Sequence, residues 1–305
     1  MRSSWIRPIF PLVALGATVI VGCGSSSSSS STPTNTTPAV TTPAAVSSIQ
    51  SQVPAALKSK GTLTVAADAS YAPNEFVAQD GHTVIGMDPD LMKAIGALMG
   101  VKVNVINVPF ASILTGLSAG KYDVGASSFT DTLERQKTVD FVDYFIAGEN
   151  FFTKSQGGTD IGSIADICGH TVAVESGTTE KDDAATQSAK CVKEGKPAVT
   201  SLVFPDQNGA NLALTAGRAQ LVFVDTPVAD YQVKQSNGQF KIVGATYANA
   251  PYGLAVAKNS GLAAPILSAV KLLMQSGTYS NILAKWGLES GAIPISGVKI
   301  NGAKM

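Results

Sequence analysis

Four polar groups in this chain each follow a run of apolar, mostly β-branched residues. Asp68 follows Thr62–Ala67, and Ser127-Ser128 follow Tyr122–Ala126. The run Glu175-Ser176-Gly177-Thr178-Thr179 follows Gly169–Val174, and Asp225 follows Gln220–Val224. Carboxylates and hydroxyls at such positions suit charge-assisted capture of a small polar molecule. They do not suit a known catalytic pattern: there is no G-x-S-x-G elbow, no H-E-x-x-H and no paired Cys/His nucleophile, so no catalytic residue is assigned. His82 and His170 are the only histidines, and neither lies at ligand spacing from a second His or a Cys pair. Neither a metal nor a cofactor is expected.

The elements that would position these groups alternate. Thr62–Ala67 reads as a strand, and Asp88-Pro89-Asp90 as a helix start with Asp88 as N-cap and Pro89 in the first turn. Leu91, Ile95 and Leu98 form the buried stripe of that helix, and Gly100 ends it. A strand at 101–108, a helix at 113–119 and a strand at 122–126 follow. The rhythm then repeats, with strands at 169–174, 198–204 and 220–224 and a helix at 210–216. Leu117-Ser-Ala-Gly120-Lys matches Leu214-Thr-Ala-Gly217-Arg, and eight residues past each glycine stand Ser128 and Asp225. Seven past Gly61 and Gly169 stand Asp68 and Ser176. This βαβ rhythm predicts α/β architecture in two lobes, each a mostly parallel sheet flanked by helices. Ligands of such sheets bind at the carboxyl ends of the strands, so two facing lobes make a cleft. A strand at 253–257, far from its partners in the chain, requires two crossover segments between the lobes.

Composition bounds the rest. The chain has 305 residues, 45% hydrophobic and 7% aromatic, with Lys+Arg 22 against Asp+Glu 22. It can bury cores, and it has no basic excess for nucleic acid. Arg2 and Arg7 precede an apolar stretch, residues 9–22, too short to span a bilayer and ending in Val21-Gly22-Cys23. This resembles a bacterial lipobox, which implies a signal peptide (1–22), lipid attachment at Cys23 and an exported protein held on the extracytoplasmic face of the cell membrane. Loss of residues 1–22 removes two arginines and no acid, leaving 20 basic against 22 acidic residues and a net charge of −2. Seven serines, Ser25–Ser31, open a Ser/Thr/Pro-rich tether (23–48) that cannot form a core. In an oxidising compartment Cys168 and Cys191 are expected to form a disulfide. The folded part divides into lobe 1 (49–152), lobe 2 (153–246), a return to lobe 1 (247–290) and a tail (291–305).

Four further stretches carry a resemblance. They are Asp68-Ala-Ser-Tyr71-Ala-Pro73-Asn-Glu75-Phe76, Gly86-Met-Asp-Pro-Asp90 through Ile95, Thr130-Asp-Thr-Leu-Glu134-Arg135 through Phe141, and Gly277-Thr-Tyr279 through Trp286. In this order they resemble the family 3 extracellular solute-binding proteins, amino-acid receptors of ATP-binding-cassette importers. The resemblance spans about Leu57 to Leu288. It implies the two-lobed type II periplasmic-binding-protein-like fold, a free amino acid as ligand, a transporter permease as partner and a monomer. By resemblance, Asp68, Tyr71, Phe110, Ser128, Thr130 and Arg135 line lobe 1, and Glu175, Thr178, Thr179 and Asp225 line lobe 2.

The chemistry is consistent with that assignment. The Arg135 fork fits a carboxylate bidentately, helped by backbone N–H groups near Thr130 and at Gly177-Thr178-Thr179. Asp225, with the Ser128 carbonyl and Thr130 hydroxyl, can hold an ammonium, and the resemblance implies that Tyr71 and Phe110 sandwich the ligand side chain. That leaves Asp68 and Glu175 for the side chain and favours a cationic amino acid (arginine, lysine, ornithine), then glutamine. Asn74 replaces an aromatic common in relatives, so that wall is expected to be altered. Simpler roles exist for each residue: Arg135 paired with Glu134 or Asp131, Asp225 capping the turn before Pro227, Tyr71 and Phe110 in the core, Thr178 and Thr179 capping a helix, and Glu175 paired with Lys181. The same family includes a dehydratase acting on cyclohexadienyl acids, for which Glu175 or Glu180 would be the acid. A ligand-sensing lipoprotein without transport is a third class.

Overall fold

The computed structural model describes residues 42–303. The expected signal peptide, Cys23 and the tether as far as residue 41 lie outside the described residues. The strands in chain order are β1 Thr62–Ala67, β2 Ser70–Tyr71, β3 Glu75–Val77, β4 Val84–Ile85, β5 Lys102–Asn107, β6 Val124–Gly125, β7 Val139–Lys154, β8 Thr171–Glu175, β9 Thr200–Phe204, β10 Leu221–Asp225 and β11 Phe240–Ala257. Eight of them join in the order β5-β1-β6-β11-β7-β10-β8-β9, and β2-β3-β4 form a separate small sheet.

Pairing explains the two lobes. On one side β5, β1 and β6 run parallel, and on the other β10, β8 and β9 do. The antiparallel pair β7 and β11 runs between them. The first part of β7 pairs with the end of β11, which also meets β6; the last part of β7 pairs with both β10 and the start of β11. These two strands are the crossover segments. Their pairing shifts register between Val243 and Ala250, in a mostly exposed stretch of β11.

Helices cover both faces of each lobe. The helix Met87–Met99 buries Leu91, Ile95 and Leu98 against the helices Ala263–Gln275 and Thr278–Trp286, and Gly100 in the left-handed region ends it. Lobe 2 is sealed by Thr179–Lys193, Gln207–Thr215 and Thr226–Gln235. The disulfide Cys168–Cys191 ties the last turn of Thr179–Lys193 to the loop before β8.

Two boundaries differ from the sequence expectation. The Val46 N–H donates to the Leu98 carbonyl and Ile49 is buried, so packing begins before the expected end of the tether. The expected tail belongs to the fold: Val298 is buried, Ile300 bridges to Val142, and the Ala303 N–H donates to Asp131. The apolar residues Ile293 and Val298 were the signal for that packing. No helix of the described residues is long and apolar enough to cross a membrane.

Candidate ligand cavity

One cavity, with about 280 Å³ of atom-free space, lies between the lobes at the carboxyl ends of β1, β6, β8 and β10. All ten residues singled out from sequence line it: Asp68, Tyr71, Phe110, Ser128, Thr130, Arg135, Glu175, Thr178, Thr179 and Asp225. Ser127 and Glu180 complete the wall.

The lobe 1 wall rests on buried carboxyl groups. Asp68 accepts from the Ser70 N–H (3.2 Å) and hydroxyl (2.6 Å), and from the Phe110 N–H (3.0 Å). Phe110 opens the helix Phe110–Ser118, whose N-cap is Pro109, with no side-chain cap of its own. Asp68 therefore serves an orphan donor of that helix and sets the Phe110 ring at the cavity. Burial raises its pKa, while the Ser70 hydrogen bond opposes the shift.

Beneath the floor, Glu75 accepts from the Ser127 and Ser128 hydroxyls, both at 3.2 Å. Asp88 accepts from the Ser128 N–H (2.9 Å) and from the Tyr144 hydroxyl. Burial and the Asp88 charge push Glu75 well up, and burial lifts Asp88 to about 6. This anchored pair holds Ser128 at φ 50°, a conformation costly for a non-glycine residue.

Two sequence expectations fail here. Asp88 is not the N-cap; Gly86 is. At Gly86 φ is 137°, and a Cβ would lie 2.1 Å from the Asn74 carbonyl oxygen, so the chain enters the helix through a gap only glycine fits. Asp88 then turns inward to Ser128. Asn74 is no cavity wall either. It is fully buried and donates to the Ser128 hydroxyl at 2.8 Å.

Arg135 lies over two rings. Phe110 and Phe129 stack with centroids 4.4 Å apart, and the guanidinium is 5.5 Å from each centroid. It donates to the Thr130 carbonyl (2.8 Å) and, across the cleft, to the Gly177 carbonyl (3.0 Å). Among the described residues it has no carboxylate within 4.0 Å. Glu134 pairs with Lys137 instead, and Asp131 accepts from Gln136 and Ala303. A half-buried guanidinium without a counter-ion is a ready anion site.

The lobe 2 wall is acidic. Asp225 ends β10 and is the N-cap of the helix Thr226–Gln235, but its carboxylate turns to the Tyr71 hydroxyl of lobe 1 (2.8 Å) rather than to that helix. Burial raises it to about 6 against the pull of Tyr252, Tyr71 and Arg135. Thr178 caps the helix Thr179–Lys193 by accepting from the Lys181 N–H, and donates to the Glu175 carbonyl. Glu175 is 2% exposed, and its Oε1 has no hydrogen-bond partner. Burial, then the facing Asp68 charge, lift its pKa to about 10. Lys181 pairs with Asp182, not with Glu175. Glu180 is also 2% exposed with Oε1 unpartnered, and burial with the Asp225 charge pushes it well up.

Glu180 was named only as the acid of the dehydratase alternative and Ser127 only beside Ser128 at a strand end; neither was assigned to the ligand set. An acid in the first turn of a polar helix is ordinarily read as a solvated partner of the helix dipole. The available signal was its place two residues past Thr178, on a helix start already assigned to the cleft.

Two facing α/β lobes with a polar cavity at their strand ends define a binding protein that encloses its ligand. The profile of the bacterial extracellular solute-binding proteins, family 3, matches residues 63–289. The chain belongs to that family. It is 37% identical over 249 residues to the arginine-binding protein ArgT of Corynebacterium glutamicum, covering 81% of each chain. A solved ancestral arginine-binding protein bound to arginine is 37% identical at a TM-score of 0.69, covering 74% of this chain and 98% of that one. An ancestral amino acid-binding protein, a precursor of cyclohexadienyl dehydratase, is 31% identical at a TM-score of 0.68, covering 76% and 97%.

Proposed function

We propose that this chain is the extracytoplasmic substrate-binding component of an ATP-binding-cassette importer and that its ligand is a cationic amino acid, arginine first. The observation that carries the ligand class is Glu175, a buried carboxyl with a free oxygen, beside Asp68 in a cavity whose only cation is Arg135. Arg135 takes the ligand carboxylate. Asp225, joined by Glu180, takes the α-ammonium. Asp68 and Glu175 remain for a positive side chain, with Tyr71 and Phe110 on either side of it. A cationic side chain there supplies the counter-charge that lets Glu175 ionise beside Asp68, whereas an acidic one would face Asp68 and offer Glu175 none. The arginine-binding relatives support the same choice.

The protein works as a monomer anchored through lipid on Cys23, with the lobes divided near residues 152 and 246. It delivers the ligand to a permease when the lobes close around it. A thermal-shift screen of the amino acids tests the ligand class. Arginine, lysine or ornithine should give the largest shifts. A large glutamate shift with no arginine response would overturn it.

A second reading has one observation in its favour. A carboxyl held near pKa 10 inside a cavity is neutral at pH 7 and able to donate a proton, as a dehydratase would require. Incubation with prephenate and arogenate, followed by product analysis, distinguishes it; turnover would displace the binding-protein reading.

A further inference from the structure

Thr130 and Thr179 each line two spaces. One is the ligand cavity; the other is a solvent-open pocket with about 900 Å³ of atom-free space on the far side of the same wall. Four acids line this second pocket, and no Lys or Arg does. Two of the four are engaged: Glu134 pairs with Lys137, and Asp131 accepts from Gln136 (2.7 Å) and the Ala303 N–H (3.0 Å). The other two, Glu149 on β7 and Asp183 on the helix Thr179–Lys193, have no ion-pair partner among the described residues. Glu149 is only 3% exposed, and its Oε2 has no hydrogen-bond partner. Beside it, directly across the β7–β11 ladder, stands Tyr247, which is 37% exposed.

We propose that this pocket is a second cation site, taking an alkyl guanidinium or ammonium group between Glu149, Asp183 and the Tyr247 ring. Two acids beside an aromatic face match a flat, delocalised cation in charge and shape. A buried carboxyl oxygen with no donor is costly unless something supplies one, and a cation does so while letting Glu149 ionise beside Asp183. Burial and the charges of Glu180, Asp225 and Asp183 hold Glu149 near pKa 10, which marks how poorly the pocket tolerates that charge without a cation beside it. Because Thr130 and Thr179 line both spaces, a cationic ligand held here is concentrated beside the main cavity.

Agmatine tests this site apart from the main one, because it carries a guanidinium and an ammonium but no carboxylate for Arg135. The binding of agmatine by the purified protein is followed by NMR and calorimetry, with and without arginine at a concentration that fills the main cavity but not the weaker second site. The expected result is weak, saturable binding that survives both that arginine and Arg135→Ala. Asp183→Asn should weaken agmatine about tenfold, the effect of one lost partly desolvated charge pair, and leave arginine affinity in the main cavity unchanged. Tyr247→Ala should weaken it independently, which keeps the test valid if Glu149→Gln fails to fold. Competition between arginine and agmatine for one site, or indifference of agmatine to both Asp183→Asn and Tyr247→Ala, would overturn the proposal. Neither result depends on whether the main cavity prefers arginine.

Discussion

In the proposed binding mode Arg135 and Asp225 divide the work of holding an amino acid's backbone. Arg135 has five N–H donors, yet its protein acceptors are two carbonyl oxygens, at 2.8 and 3.0 Å. Arg135→Ala should abolish amino-acid binding, because a carboxylate left unpaired in a closed cavity costs about 2–5 kcal/mol; calorimetry reads this directly. Asp225→Asn should weaken amino acids by about 1.5–3 kcal/mol and barely affect analogues lacking the α-amine, as paired titrations would show. Both residues were legible from sequence, Arg135 through its motif and Asp225 through its repeat equivalence to Ser128. Glu180 was not, because sequence shows its helical position but not that the opposing lobe buries it.

At the level of elements, the strand ends were the legible part. The strand β1 matches its sequence reading, an apolar run closed by Asp68. The strand β7 escaped because it is buried along nearly all its length, so its sequence lacks the alternation that marks a half-buried strand. Only the end of β11 was read, since its middle is exposed and polar. Both strands span the two lobes, so their extent is set by tertiary packing. The helix starts are tightly determined: Gly86→Ala should destabilise the fold by about 3 kcal/mol, read by urea unfolding, since the new methyl meets the Asn74 carbonyl. Replacing both Cys168 and Cys191 by serine should cost about 3 kcal/mol, because the bond closes a loop between residues 23 apart.

The whole molecule keeps several carboxyl groups buried with few cations, and that shapes its response to pH. Glu175 and Glu149 hold their protons to about pH 10 in the folded protein but release them near 4.5 when unfolded. Between those values the folded state binds more protons, so ligand-free stability should fall as pH rises from about 5 to about 8. Glu175→Gln should flatten that fall in thermal melts, and bound cation should offset it. Net charge conceals all of this: 22 basic and 22 acidic residues balance across the chain, while the cavity wall has four carboxyl groups against one arginine. The most direct measurement is calorimetric titration of arginine and glutamine into the unsubstituted protein and into Glu175→Gln. A cation-binding cavity should take arginine far more tightly, and the substitution should cost arginine about tenfold or more while leaving glutamine little changed. Equal losses for both ligands, or none for arginine, would contradict it.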